Sequence, residues 1–141
     1  MLFRVTPQPL NVEESIKAVS HPSTGAVVVF LGVVRGHNLG RRVIQLHYEA
    51  YSEMAQKVME ELAQEAQERF GLKDVAILHR IGTLQVGDIS LVVAVSSPHR
   101  KEAFRAGEWL VDCLKERLPI WKKEVFEGGE EWIEGTLPLT G

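Results

Sequence analysis

Two long apolar runs constrain the fold of this chain more than any other feature. Ala26 to Val34 and Ile89 to Ser97 are rich in valine and carry no charged residue. Side chains branched at Cβ favour extended backbone, and runs this apolar predict buried strands. The elements between them follow from periodicity and punctuation. Asn11 with Glu14 three residues on marks a helix start, and a short helix is expected from about Val12 to Val19. Val43 to Tyr51 reads as a second strand. Met54, Val58, Leu62 and Ala66, flanked by Met59, Ala63 and Phe70, predict a long helix capped by Ser52 and ended by Gly71.

Asp74 to Ile81 reads as a strand, and Gly82 to Asp88, with two glycines, as a turn. After Pro98, the residues Phe104, Leu110, Val111, Leu114 and Leu118 predict a second long helix. Pro119 ends it, because proline disfavours helical geometry in the residue before it. Gly128-Gly129 predicts a turn joining two short strands that include Val125 and Trp132. The order β-β-α-β-β-α with a small β tail gives an α+β domain with a mixed or largely antiparallel sheet. Strands are not each followed by a helix, which argues against a doubly wound parallel sheet. No internal repeat or low-complexity linker interrupts the 141 residues, so one domain spanning 1–141 is expected.

Composition narrows the function classes. The formal net charge is −3, which gives no overall basic field for nucleic acid. Cys113 is the single cysteine, so an internal disulfide and a cysteine-based zinc site are excluded. Met1 to Leu10 contains Pro7 and Pro9 and no long apolar run, unlike a signal peptide. No stretch approaches the roughly 20 apolar residues of a membrane span. A cytoplasmic location is the expectation.

Three basic clusters remain as candidate chemistry, each with a bland reading beside it. Arg35, His37 and Asn38 occupy a glycine-bearing loop after the first long strand. An arginine fork there suits phosphate or carboxylate, though a solvated loop carries such charges too. Ser96-Ser97-Pro98-His99-Arg100 joins a strand to a helix N-terminus, where a bound anion would offset the unfavourable pairing of cations with the helix dipole. Alternatively, Ser97 merely caps the helix. Lys115 near the helix C-terminus is explained by the dipole alone. Lys122 is less easily dismissed, because Leu118-Pro119-Ile120-Trp121 is a stiff apolar lead-in, and lysines against apolar walls can act as bases or nucleophiles. The five histidines show no metal-ligand spacing, and His47 and His79 read as structural. No metal site or cofactor is expected. These residues alone support an anion-binding domain and leave its reaction open.

Four segments nevertheless resemble a known family in order and spacing: Gly25 to Asn38, His79-Arg80-Ile81-Gly82, Ser97-Pro98-His99-Arg100, and Leu114 to Glu124. They are similar to the large, catalytic subunit of molybdopterin synthase, the MoaE family, over about Phe3 to Glu134. The resemblance implies an α/β-hammerhead fold with two main helices and a small β subdomain, and a homodimer within a heterotetramer. It implies a small ubiquitin-like partner whose C-terminal Gly-Gly tail ends as a thiocarboxylate. The implied substrate is cyclic pyranopterin monophosphate (precursor Z), which receives two sulfurs to form the dithiolene of molybdopterin. Lys115 and Lys122 would be catalytic and also contact substrate. Arg35, His99 and Arg100 would line the phosphate pocket, part of it reached across the dimer interface. Contacts that relatives make through a longer C-terminal tail are not carried over. Two rival functions stay open, a non-catalytic anion sensor and a docking protein for the partner.

Overall fold

A computed structural model describes residues 1–133; the C-terminal tail, at which the resemblance departs, lies outside the described residues. The chain runs β1 (Leu2–Thr6), α1 (Val12–Val19), β2 (Ala26–Val33), β3 (His37–Asn38), β4 (Arg41–Ala50) and α2 (Ser52–Phe70). It continues through β5 (Asp74–Arg80), β6 (Gly82–Gln85), β7 (Ile89–Ser97), α3 (Arg100–Arg117), β8 (Ile120–Phe126) and β9 (Gly129–Ile133). One sheet has the order β1-β5-β7-β2, with β1 parallel to β5 and the other pairs antiparallel. The second has the order β3-β4-β8-β9, and β6 pairs with β4 as well. This is the expected mixed α+β architecture.

The inner strands of the first sheet, β5 and β7, are covered on both faces, which is why they are buried at successive positions. Val75, Ile77, Val93 and Val95 point into the main core with Met59, Leu62 and Leu110 of α2 and α3. The intervening Ala76 and Ala94 pack with Val19 of α1 on the other face. The start of α1 is as expected: the Glu14 N–H donates to Asn11 Oδ1 at 3.1 Å. Gly71 ends α2 at φ 66°, a left-handed conformation that costs glycine little.

Several expectations are corrected. β1 was not foreseen; its five residues contain a charge and pair in parallel only at the sheet edge. Gly82 to Asp88 is not all turn, because Gly82–Gln85 forms β6 and buries Leu84 against β4. Ser52 does not cap α2. Tyr51 holds the cap position with no side-chain hydrogen bond, its N–H tied to the Pro119 carbonyl at 3.1 Å. Met54 is exposed although it opened the stripe: a spacing of four drifts by about 40° per step around a helix. The face that packs is Ala55, Met59, Leu62, Ala63 and Ala66. Phe104 is 64% exposed, beside the outer edge of β2, where Val27, Leu31 and Val33 are exposed too.

Candidate functional site

Arg35, Lys115 and Lys122, far apart in sequence, line one cavity of about 410 Å³. Arg35 follows the end of β2, Lys115 lies in the last turn of α3, and Lys122 is on β8. Phe30 to Val33, Tyr48, His79, Ser90 and Leu91 complete the wall. The stiff lead-in to Lys122 behaves as its composition suggests. Leu118 caps α3 in extended geometry, Pro119 bars continuation, and buried Ile120 begins the strand.

Electrostatics mark Lys122 as the unusual group. Burial holds its amine below the usual lysine value; Glu124 opposes that shift, and Lys115 and Arg35 reinforce it. Glu124 is 2% exposed but is engaged elsewhere. Its carboxylate accepts from Asn38 Nδ2 at 2.9 Å and from Arg41 Nη2 at 3.3 Å. Among the described residues Lys122 has no carboxylate within ion-pair distance. A partly buried cation left without a carboxylate partner can be offset by an external anion. Asn38 thus contributes by tying the 35–40 loop to β8, while His37 of the same cluster is exposed.

His99 and Arg100 are not brought to this cavity within one chain. They line a separate hollow of about 740 Å³ with Gly25, Pro98, Lys101, Phe104 and Arg105. Arg100 and Lys115 sit near opposite ends of α3, about 22 Å apart along its axis by the helical rise. Ser97 accepts the His99 N–H at 3.3 Å but does not cap α3 as the bland reading has it; His99 holds the cap position with no side-chain hydrogen bond. The backbone nestles closely there: a Cβ on Gly25 would lie 2.1 Å from the Pro98 carbonyl oxygen.

Tyr48, His79 and Ser90 are wall residues the sequence did not single out. The strand-like run around His79 predicts a structural histidine. It is indeed buried, yet it also borders the cavity. Its Nδ1–H donates to the Arg80 carbonyl at 2.7 Å, and its ring meets Tyr48 edge-on with centroids 5.1 Å apart. Burial chiefly, countered by that carbonyl and aided by Lys122, lowers its pKa to about 4. Cys113 is half-buried in α3, with its thiol pKa pushed up chiefly by burial, which opposes a nucleophilic role.

Comparison with known proteins bears on this arrangement. A family model described as "MoaE protein" matches residues 5–117. A molybdopterin synthase catalytic subunit of Pyrococcus abyssi is 54% identical over 129 residues, covering 92% of this chain and 87% of the relative. The Bacillus subtilis protein of the same name is 43% identical over 138 residues, covering 98% and 88%. The crystal structure of molybdopterin synthase from Staphylococcus aureus superposes with a TM-score of 0.89 at 42% identity, covering 92% of this chain and 95% of that one. A Helicobacter pylori complex of subunits 1 and 2 of molybdopterin-converting factor shares the fold, with a TM-score of 0.79 at 23% identity over 99% and 95% of the chains.

Proposed function

The chain belongs to the MoaE family, and on that premise we propose that it is the catalytic subunit of a molybdopterin synthase, with Arg35, Lys115 and Lys122 as its reacting cluster. The carrying observation is that these three side chains, from β2's exit, α3 and β8, line one cavity. The donor is the C-terminal thiocarboxylate of a small ubiquitin-like partner, and the acceptor is precursor Z. Both are anions, and cations gathered around the half-buried Lys122 stabilise such charge.

Arg35 grips phosphate through its planar fork. Lys115 faces the thiocarboxylate and the acyl intermediate that joins partner to pterin. Water then cleaves that thioester, returning a carboxylate on the partner and leaving sulfur on the pterin. Lys122, with its lowered pKa, is the group suited to take the proton from that water. Lys115 stabilises the oxyanion formed in the same step. Holding both reactants in one cavity makes the transfer effectively intramolecular.

His99 and Arg100 enter this account through a second copy of the chain. The outer edge of β2 has no strand partner among the described residues, and Val27, Leu31, Val33 and Phe104 form an exposed apolar surface along it. Such an edge favours association. A homodimer formed there would bring one protomer's His99 and Arg100 to the other's phosphate, with a small partner at each end completing a heterotetramer. Cytoplasmic residence fits this chemistry, and no helix among the described residues is long and apolar enough to cross a membrane.

The test combines the chain with thiocarboxylated partner and precursor and follows dithiolene formation. Lys115→Ala abolishes product while partner binding is retained. Parallel loss of binding and product would replace catalysis with a docking role. Precursor binding without product in the wild-type chain would indicate a sensor.

A further inference from the structure

The cavity's cations explain how it holds negative charge but not how it selects one anion over another. The charged forms of Arg35, Lys115 and Lys122 can only donate, and any small oxyanion satisfies them. The Ser90 hydroxyl donates to the Gly32 carbonyl at 3.2 Å. The hydroxyls of Ser90 and Tyr48 can accept as well, but His79 presents a ring acceptor held in one orientation. Its Nδ1 proton is committed to the Arg80 carbonyl, a group that can only accept. In the neutral ring, Nε2 therefore carries a lone pair and no proton. The edge-on Tyr48 ring and the bond from Nδ1 to the Arg80 carbonyl fix the imidazole plane.

We propose that His79 is a specificity-determining residue whose Nε2 accepts a hydrogen bond from an N–H or O–H of the anion occupying the cavity. The ligand class is thus an anion that also carries a polarised donor, as a partly reduced nitrogen heterocycle bearing a phosphate does. This deepens the proposed function and rests on it. The low pKa of His79 supports the assignment, because burial and the neighbouring Lys122 charge both keep the ring neutral, and so an acceptor, at neutral pH. A protonated ring would add a fourth positive charge and recognise nothing that the others do not.

Two substitutions separate the ring's nitrogens. His79→Asn keeps a donor near the Nδ1 position for the Arg80 carbonyl and removes the acceptor. His79→Gln places an amide oxygen near the Nε2 position. The expected result is a KM for precursor raised about tenfold in His79→Asn, the weight of one net hydrogen bond, with kcat little changed. His79→Gln recovers most of that loss. Inhibition by sulfate, a donor-free anion, stays the same in all three proteins.

Equal loss of precursor and sulfate affinity, or a normal His79→Asn with a damaged His79→Gln, would overturn the proposal in favour of a purely structural ring. Should both variants fail to fold, nitrogen NMR of the wild-type chain decides. A protonated Nδ1, with an Nε2 resonance that moves on adding precursor but not sulfate, supports the proposal; a protonated Nε2 overturns it. If the wild-type chain makes no product, the enzymatic reading fails by itself, and the NMR arm still judges whether His79 reads a donor on the precursor.

Discussion

Tyr48 of β4 stands directly opposite Lys122 of β8 in the antiparallel ladder, so both side chains leave the sheet on the cavity face. The pairing replaces water beside the lysine with an aromatic ring. Burial of the same patch raises the Tyr48 hydroxyl above its usual value, with Ser90 opposing the shift. The lowered Lys122 pKa therefore follows from which residue β4 places across from it, as well as from Lys115 and Arg35.

The first prediction concerns pH. With Lys122 acting as the amine, kcat rises with pH and levels off below the ordinary lysine value of 10.5. Arg35→Gln removes a neighbouring positive charge, so the midpoint moves to higher pH when read at saturating precursor. Lys122→Arg is inactive, because a guanidinium stays protonated. A pH–rate profile of kcat checks all three outcomes.

Lys122 also sets a stability dependence. Its folded pKa lies below its unfolded value, so the unfolded chain binds more protons between the two. Stability therefore rises with pH through that window and is lowest where the amine is charged in both states. Lys122→Met is expected to melt higher than the wild type at neutral pH, by about 2–4 °C for each kcal/mol gained, while making no product. Calorimetric melts from pH 7 upward measure this, and the gap between the two proteins narrows as pH rises.

Glu124 is the hinge pin of the 35–40 loop. Its buried carboxylate accepts from Asn38 and from Arg41, whose guanidinium also lies 4.0 Å over the Phe126 ring. Glu124→Ala leaves those donors without a partner on one side, at a cost of about 1–3 kcal/mol. The segment that carries Arg35 loses its Asn38 tie to β8 at the same time. Denaturant midpoints give the stability loss, and a precursor KM raised more than partner affinity is lowered identifies the loop as its route.

The N-terminus is fastened by Asp74. Its carboxylate takes the Met1 amine and His21 Nε2, each at 2.9 Å, and the Val75 N–H at 2.9 Å. Burial, the largest influence, raises its pKa, but these partners together outweigh it and leave the group below its usual value. A depressed carboxylate contributes stability that is present above the unfolded value of 3.8 and lost as pH falls through the folded one. Asp74→Asn should therefore destabilise the protein at pH 7 and converge with wild type in acid. Urea titrations at a series of pH values test it.

Much of the fold was legible because two kinds of burial leave different marks in sequence. β7 is buried along almost its whole length and β2 packs one face on α3 while its other face stays apolar and partly exposed, so both carry near-continuous apolar runs and could be placed almost to the residue. β1 and β6 are short edge strands with charges or bracketing glycines, and their pairing is decided by neighbours remote in sequence. The site divides in the same way. Arg35, Lys115 and Lys122 stood out as cations at element ends, and the cavity unites them. His99 and Arg100 stood out equally, but nothing local could reveal that α3 carries them to its other end. His79 was hidden because a buried histidine in a strand has the same pattern whether it faces packing or a cavity.

The most direct measurement of the central claim is a crystal structure of the chain with precursor Z. The account predicts the ligand in the cavity bounded by Tyr48 and His79, its phosphate on Arg35 and its ring within reach of Lys122, with His99 and Arg100 arriving from a second protomer. Precursor bound only in the hollow at the start of α3, with Lys115 and Lys122 untouched, would contradict it.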